Sequence, residues 1–128
     1  MRRGVRTSGR LDPNTVWERY AVPNVWSSWS PQIRGVEASG PRIVDGMTGL
    51  VHGPVGVLIS FEVLRVDEVR RWWSWRVHAG PVVLRLEHEV LVRPDGGSDT
   101  TLEVDGPALV VLAYLPLARI ALRNLVTT

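Results

Sequence analysis

Cysteine is absent from the 128 residues, and so is lysine. Without thiols there is no disulfide framework, no thiolate nucleophile and no thiolate metal site. The missing lysines leave all 15 basic residues as arginine, a uniformity better explained by coding bias than by 15 separate bidentate anion contacts. Charge of one sign is scarce as well, since 15 basic against 13 acidic residues leave a net charge of only +2. No field suited to a polyanion results, and no nucleic-acid partner is expected. Recognisable catalytic signatures are missing too: no G-x-S-x-G elbow, no P-loop and no G-x-G-x-x-G fingerprint occurs.

Long hydrophobic runs are equally lacking. Arg2, Arg3, Arg6 and Arg10 are followed by no apolar stretch before Asp12, so a secretory signal lacks its core and a cytoplasmic location is expected. The longest apolar run, Pro107 to Leu117, rises only about 16 Å as a helix, whereas a membrane span needs about 20 residues. No membrane span is expected, and the segment reads as a buried or cavity-covering helix.

What the chain does contain is a hydrophobic content of 45%, six tryptophans and abundant turn formers. That is enough for one domain with a core of its own. Gly-Pro recurs at Gly40-Pro41, Gly53-Pro54, Gly80-Pro81 and Gly106-Pro107, and Pro94-Asp95-Gly96-Gly97 adds another turn. Asp12-Pro13 is a helix start, and Val16, Trp17 and Tyr20 at one-turn spacing predict a helix from Pro13 to Ala21. A second short helix carries Trp26 and Trp29 on one face and stops at Ser30-Pro31. Ile33 to Asp105 then predicts six strands: Ile33 to Ala38, Gly46 to His52, Val57 to Val66, Arg71 to Ala79, Val82 to Arg93 and Asp99 to Asp105. Short connections make them antiparallel, and Val5 to Leu11 supplies a seventh. After Gly106-Pro107 the pattern becomes helical, with a kink at Pro116 and with Val110, Tyr114, Leu117, Ala121 and Leu125 facing the sheet.

This order, strand, two short helices, six strands, long C-terminal helix, is α+β and resembles the helix-grip fold of the START-like superfamily. The sequence is most similar to the polyketide cyclase/dehydrase group. The residues carrying the likeness are Val16-Trp17-Glu18-Arg19-Tyr20, Trp26-Ser27-Ser28-Trp29-Ser30-Pro31, Phe61-Glu62-Val63, Trp73-Ser74-Trp75-Arg76-Val77 and Pro94-Asp95-Gly96-Gly97. The resemblance implies one START-like domain over residues 1–128, a curved sheet wrapped around the C-terminal helix, and between them an apolar cavity for a polyketide, aromatic metabolite or lipid. The short chain leaves little room for loops that would cap a very large pocket.

Strand alternation sorts the candidate site residues by face. Trp73, Trp75, Val77 and Ala79 point inward, and so do Leu84, Leu86, His88, Val90 and Val92. His88 is then the one titratable group on an apolar face. It is a candidate general acid or base, the alternative being a core histidine satisfied by a neighbouring hydroxyl or backbone group. Tyr114, on the sheet-facing side of the helix, is its expected partner, able to orient a ligand carbonyl; packing is the alternative. Trp73 and Trp75 can stack on a flat ligand or simply fill the core, and Phe61, Leu86 and Leu117 complete the expected binding set. Glu87 and Glu89 flank His88 but project to the other face, and His52, His78 and His88 lie on different strands, so no metal site is expected. Glu62 likewise faces away from Phe61 and Val63, as a solvated or cross-strand partner. Trp72, facing out beside Arg76, suggests a cation-π contact or an interface such as a homodimer.

The leading expectation is therefore a hydrophobic-ligand protein. If catalytic, it would fold a flexible chain and move protons through His88 and Tyr114 during cyclisation or dehydration, with no cofactor. A lipid or metabolite carrier without turnover is the alternative, and a scaffold plugged by its own tryptophans is the third.

Overall fold

A computed structural model describes all 128 residues. The elements are β1 (Arg2–Gly9), α1 (Pro13–Ala21), a 3-10 turn (Pro23–Val25), α2 (Trp26–Trp29), β2 (Gly35–Ala38), β3 (Thr48–His52), a second 3-10 turn (Pro54–Gly56), β4 (Leu58–Asp67), β5 (Trp72–Ala79), β6 (Val82–Val92), β7 (Ser98–Asp105) and α3 (Ala108–Thr127). The strands form one sheet in the order β1-β7-β6-β5-β4-β3-β2, every neighbouring pair antiparallel. The α1–α2 segment is thus an excursion between the first strand and the far edge of the sheet.

Local chemistry explains the elements. Asp12 caps α1 by accepting from the Thr15 backbone N–H at 3.1 Å, and Pro13 occupies the first turn, where its missing N–H is not needed. Val16, Trp17, Tyr20 and Ala21 bury one side of α1. Pro23 ends it, and Trp26 and Trp29 anchor α2 in the core as their spacing predicts. At Gly49 a Cβ would lie 2.6 Å from the Phe61 ring, so only glycine lets that ring lie across β3.

β1 begins and ends earlier than the expected Val5 to Leu11, and two further features depart from the sequence reading. In β4 the register shifts between Val63 and Arg65, so simple alternation ends there. In α3 the fully buried stripe is Val111, Leu115, Ala118, Leu122 and Leu125, with Ala121 and Val126 beside it. Ala121 and Leu125 are buried as expected, whereas Val111, Leu115 and Ala118 take the deepest positions in place of Val110 and Tyr114, which are half-buried, and Leu117, which is exposed. The helix is apolar on nearly every side, so composition leaves its rotation open and packing chooses it. By length and composition α3 is also apolar enough to cross a membrane, longer than the run ending at Leu117 suggested. Here its inward residues belong to the same 26-residue core as the sheet.

Candidate functional site: a divided cavity under the C-terminal helix

The C-terminal half of α3 is clamped close to its neighbours. A Cβ on Gly9 would meet the Val126 carbonyl oxygen at 2.3 Å, and the Leu11 N–H donates to that same oxygen at 3.0 Å. The Arg19 guanidinium donates to the Asn124 and Leu125 carbonyls at 3.1 and 2.6 Å, and the Asn124 amide donates to the Trp29 carbonyl at 3.2 Å. The entry to the helix is pinned at Gly106, which exchanges backbone hydrogen bonds with Met1 at 2.8 and 3.1 Å, but residues 108–117 make no hydrogen bond to another element, and this half stands over β3 to β6. Between the two lies a cavity of about 360 Å³, walled by Val51, Ile59, Val77 and Leu84 from the sheet and by Tyr114 and Leu117 from the helix. That volume is at the small end of the range, about 300–1,000 Å³, typical of small-molecule sites.

An aromatic cluster borders it at Trp75. Trp73 stacks on Trp75 (centroids 5.0 Å apart), on Trp26 (5.7 Å) and on the His88 ring (5.0 Å, planes 16° apart). Behind Trp75 sits a second, smaller cavity of about 40 Å³, bordered by Trp26, Trp29, Trp73, His88, Gln32 and Tyr114. Trp75, Tyr114, Gln32 and Ile33 line both chambers. The indoles therefore fill the space around the smaller chamber and leave the larger one open.

His88 lies directly across from Trp73 on the paired strands and is buried. The Trp75 indole N–H donates to His88 Nε2 at 3.1 Å, and His88 Nδ1 is 3.3 Å from the Tyr20 hydroxyl. Because Nε2 accepts, the proton of the neutral ring is on Nδ1 and is donated to Tyr20. Tyr20 in turn meets Thr100 Oγ1 at 2.5 Å, and that hydroxyl donates to the Glu89 carbonyl at 3.1 Å. Every link has one donor and one acceptor, so the chain runs in a single direction from indole to backbone. Burial lowers the His88 pKa to about 3, which keeps the ring neutral, and burial pushes the Tyr20 phenol up.

The sequence-predicted residues separate into three groups. Trp75, Leu86, Leu117 and Tyr114 line the larger chamber. Trp73 and His88 border only the smaller one. Phe61 lines neither: its ring packs on Trp26 at 5.5 Å and on Trp75 at 5.7 Å, supporting the wall from behind. The hydroxyl that satisfies His88 belongs to Tyr20 of α1, not to Tyr114. Trp72 is half-buried, and the guanidinium above it, at 5.2 Å, belongs to Arg70 rather than Arg76. Arg76 instead faces Glu62, its cross-strand neighbour, at 3.6 Å.

Tyr114 makes no hydrogen bond within the chain, and burial pushes its pKa up to about 12, so the phenol keeps its proton as a free donor. Gln32 is the other polar side chain on the larger chamber and was not anticipated, because a lone glutamine after Ser30-Pro31 carries no periodic signal. Gly53-Pro54, Ala79, Val82 and, from the first turns of α3, Val110 and Ala113 also line this chamber. Val55 and Leu109, next in sequence to the lining residues Pro54 and Val110, are exposed, and residues 53–57, 79–83 and 106–113 contain no charge.

No protein-family model matches the chain. No curated protein matches it in sequence. Solved structures do. A structural-genomics protein from Nitrosospira multiformis superposes with a TM-score of 0.82 at 14% identity, covering 98% of this chain and 94% of that one. Ara h 8.0201, a Bet v 1-like helix-grip protein, gives 0.79 at 11% identity, covering 98% and 94%. A hypothetical protein from Helicobacter pylori gives 0.78 at 15%, covering 98% and 84%. The chain has the helix-grip fold. In helix-grip terms the long helix is α3, the grip is the seven-stranded sheet, and the chamber lies between them. Identities this low carry the fold alone, so the site is argued from its own residues.

Proposed function

We propose that this protein binds a hydrophobic small molecule of modest size in the larger chamber, as a carrier or binding protein. The observation carrying the reading is the open, apolar space of about 360 Å³ left where α3 lifts from the sheet. Apolar surface left this extensive inside a packed fold is stabilised by a ligand that removes it from water, by about 25 cal/mol per Å². Trp75 forms one wall and offers a flat face to an aromatic ligand. Binding without turnover is favoured over acid-base catalysis because both His88 nitrogens are engaged inside the protein and its pKa of about 3 removes it from proton transfer near neutrality. A cytoplasmic setting belongs to this proposal.

The polyketide cyclase/dehydrase likeness supports a second reading, in which the chamber folds a flexible chain for cyclisation or dehydration. Tyr114, protonated and unpartnered, would then be the acid, with His88 acting only through the wall it holds in place. Titration with phenylnaphthylamine, whose fluorescence rises in apolar surroundings, tests binding: saturation at one equivalent is expected, and absence of saturable binding across neutral aromatic probes contradicts it.

A further inference from the structure

The two chambers differ in chemistry, and together they specify more than a greasy ligand. Neither is lined by Arg, Asp or Glu. The titratable groups bordering them are His88, neutral with a pKa of about 3, and Tyr114, protonated with a pKa of about 12. A buried carboxylate or ammonium would have no counter-charge and would carry a severe desolvation cost. Donors, by contrast, are in surplus. The Trp73 indole N–H is a buried side-chain polar atom with no hydrogen-bond partner, on a residue 1% exposed that borders the smaller chamber. Tyr114 adds an unpartnered hydroxyl and Gln32 an amide on the same chamber. An indole can only donate, so its complement is an acceptor. Leaving such a group unpaired is unfavourable, a deficit that a bound acceptor removes.

Resting on the ligand-binding reading above, we infer that the ligand is an uncharged amphiphile with a carbonyl-type acceptor. Its apolar body occupies the larger chamber, and its oxygen enters the smaller one toward the Trp73 N–H and the Tyr114 hydroxyl. Size agrees: about 40 Å³ admits a small polar group but falls far below the roughly 150 Å³ cavity that takes a benzene. The aromatic body therefore stays outside the tryptophan wall, and Trp75, common to both chambers, is where the two parts of the ligand meet.

Three probes of matched shape test this on the intact protein: acetylnaphthalene, ethylnaphthalene and naphthoate. Acetylnaphthalene binds about tenfold more tightly than ethylnaphthalene, as one or two net hydrogen bonds require, and naphthoate binds more weakly than either at neutral pH. Tyr114→Phe and Trp73→Phe each narrow the preference for ketone over hydrocarbon, read as the ratio of the two affinities in the same variant; Tyr114→Phe, at the cavity edge, decides the matter if Trp73→Phe unfolds. The carbonyl stretch of the bound ketone shifts to lower frequency than in an apolar solvent, and Tyr114→Phe reverses part of the shift. Equal binding of ketone and hydrocarbon, or preference for naphthoate, overturns the inference while leaving the ligand-binding reading intact. Failure of all three to bind overturns both.

Discussion

Trp75 donates its indole N–H to His88 Nε2 at 3.1 Å, and that single contact fixes both the tautomer of the histidine and the orientation of the wall between the two chambers. The His88 ring is thereby an acceptor on the cavity side and a donor on the α1 side, where Tyr20 receives it. A histidine so placed is a structural strut that ties β5, β6 and α1 together.

The first prediction concerns that strut. Nitrogen NMR of His88 shows the Nδ1–H tautomer, unchanged across the neutral range. Tyr20→Phe leaves the Nδ1 proton without an acceptor and lowers stability by about 1–3 kcal/mol in denaturant unfolding. A His88 signal that titrates near its ordinary value contradicts the assignment.

Stability should also depend on pH in a defined direction. His88 ordinarily titrates near 6.5 and is held at about 3 in the fold. Below pH 6.5 the unfolded chain takes up a proton that the folded chain refuses until about pH 3, so stability falls with falling pH through this window, by about 1.4 kcal/mol per unit for one such group. Asp99, lowered from 3.8 to about 2 chiefly by the Ser8 hydroxyl and then by Arg6, adds a loss of the same sign at lower pH. Unfolding measured from about pH 7 to about pH 5 separates the two, and His88→Gln flattens the slope there.

A third prediction addresses the clamp on α3. Gly9→Ala places a methyl against the Val126 carbonyl and side chain and forces the helix from β1. The expected cost is about 1–3 kcal/mol, read as a lower melting temperature.

Much of this architecture was legible in the sequence. Asp12-Pro13 and the Gly-Pro pairs bound the elements, because capping geometry and the fixed proline φ act locally. The inward faces of β5 and β6 followed from alternation as far as Val90, since Trp72 to Ala79 pairs with Val82 to Glu89 without a break; Val92, expected inward, is exposed because β6 runs past the core at its end. What stayed hidden depends on packing between distant elements. The rotation of α3 was open because nearly all of its faces are apolar. Tyr20 is 68 residues from His88, and only the α1 excursion brings its hydroxyl there. Phe61 does face inward, yet Trp26 and Trp75 stand between it and open space, which strand alternation does not reveal.

The fourth prediction fills the chamber. Val77 points into the larger cavity from β5, and Val77→Trp puts an indole there without touching the His88 chain. The variant unfolds cooperatively and loses phenylnaphthylamine binding. A variant that binds as the wild type does places the ligand elsewhere.

The most direct measurement is methyl NMR of the protein titrated with ethylnaphthalene. Shifts confined to Val51, Ile59, Val77, Leu84, Leu86 and Leu117 are predicted, with the exposed methyls of Val44, Val69 and Val92 unmoved. Saturation with no shift in the first group, or shifts confined to the second, contradicts a ligand held between the sheet and the long helix.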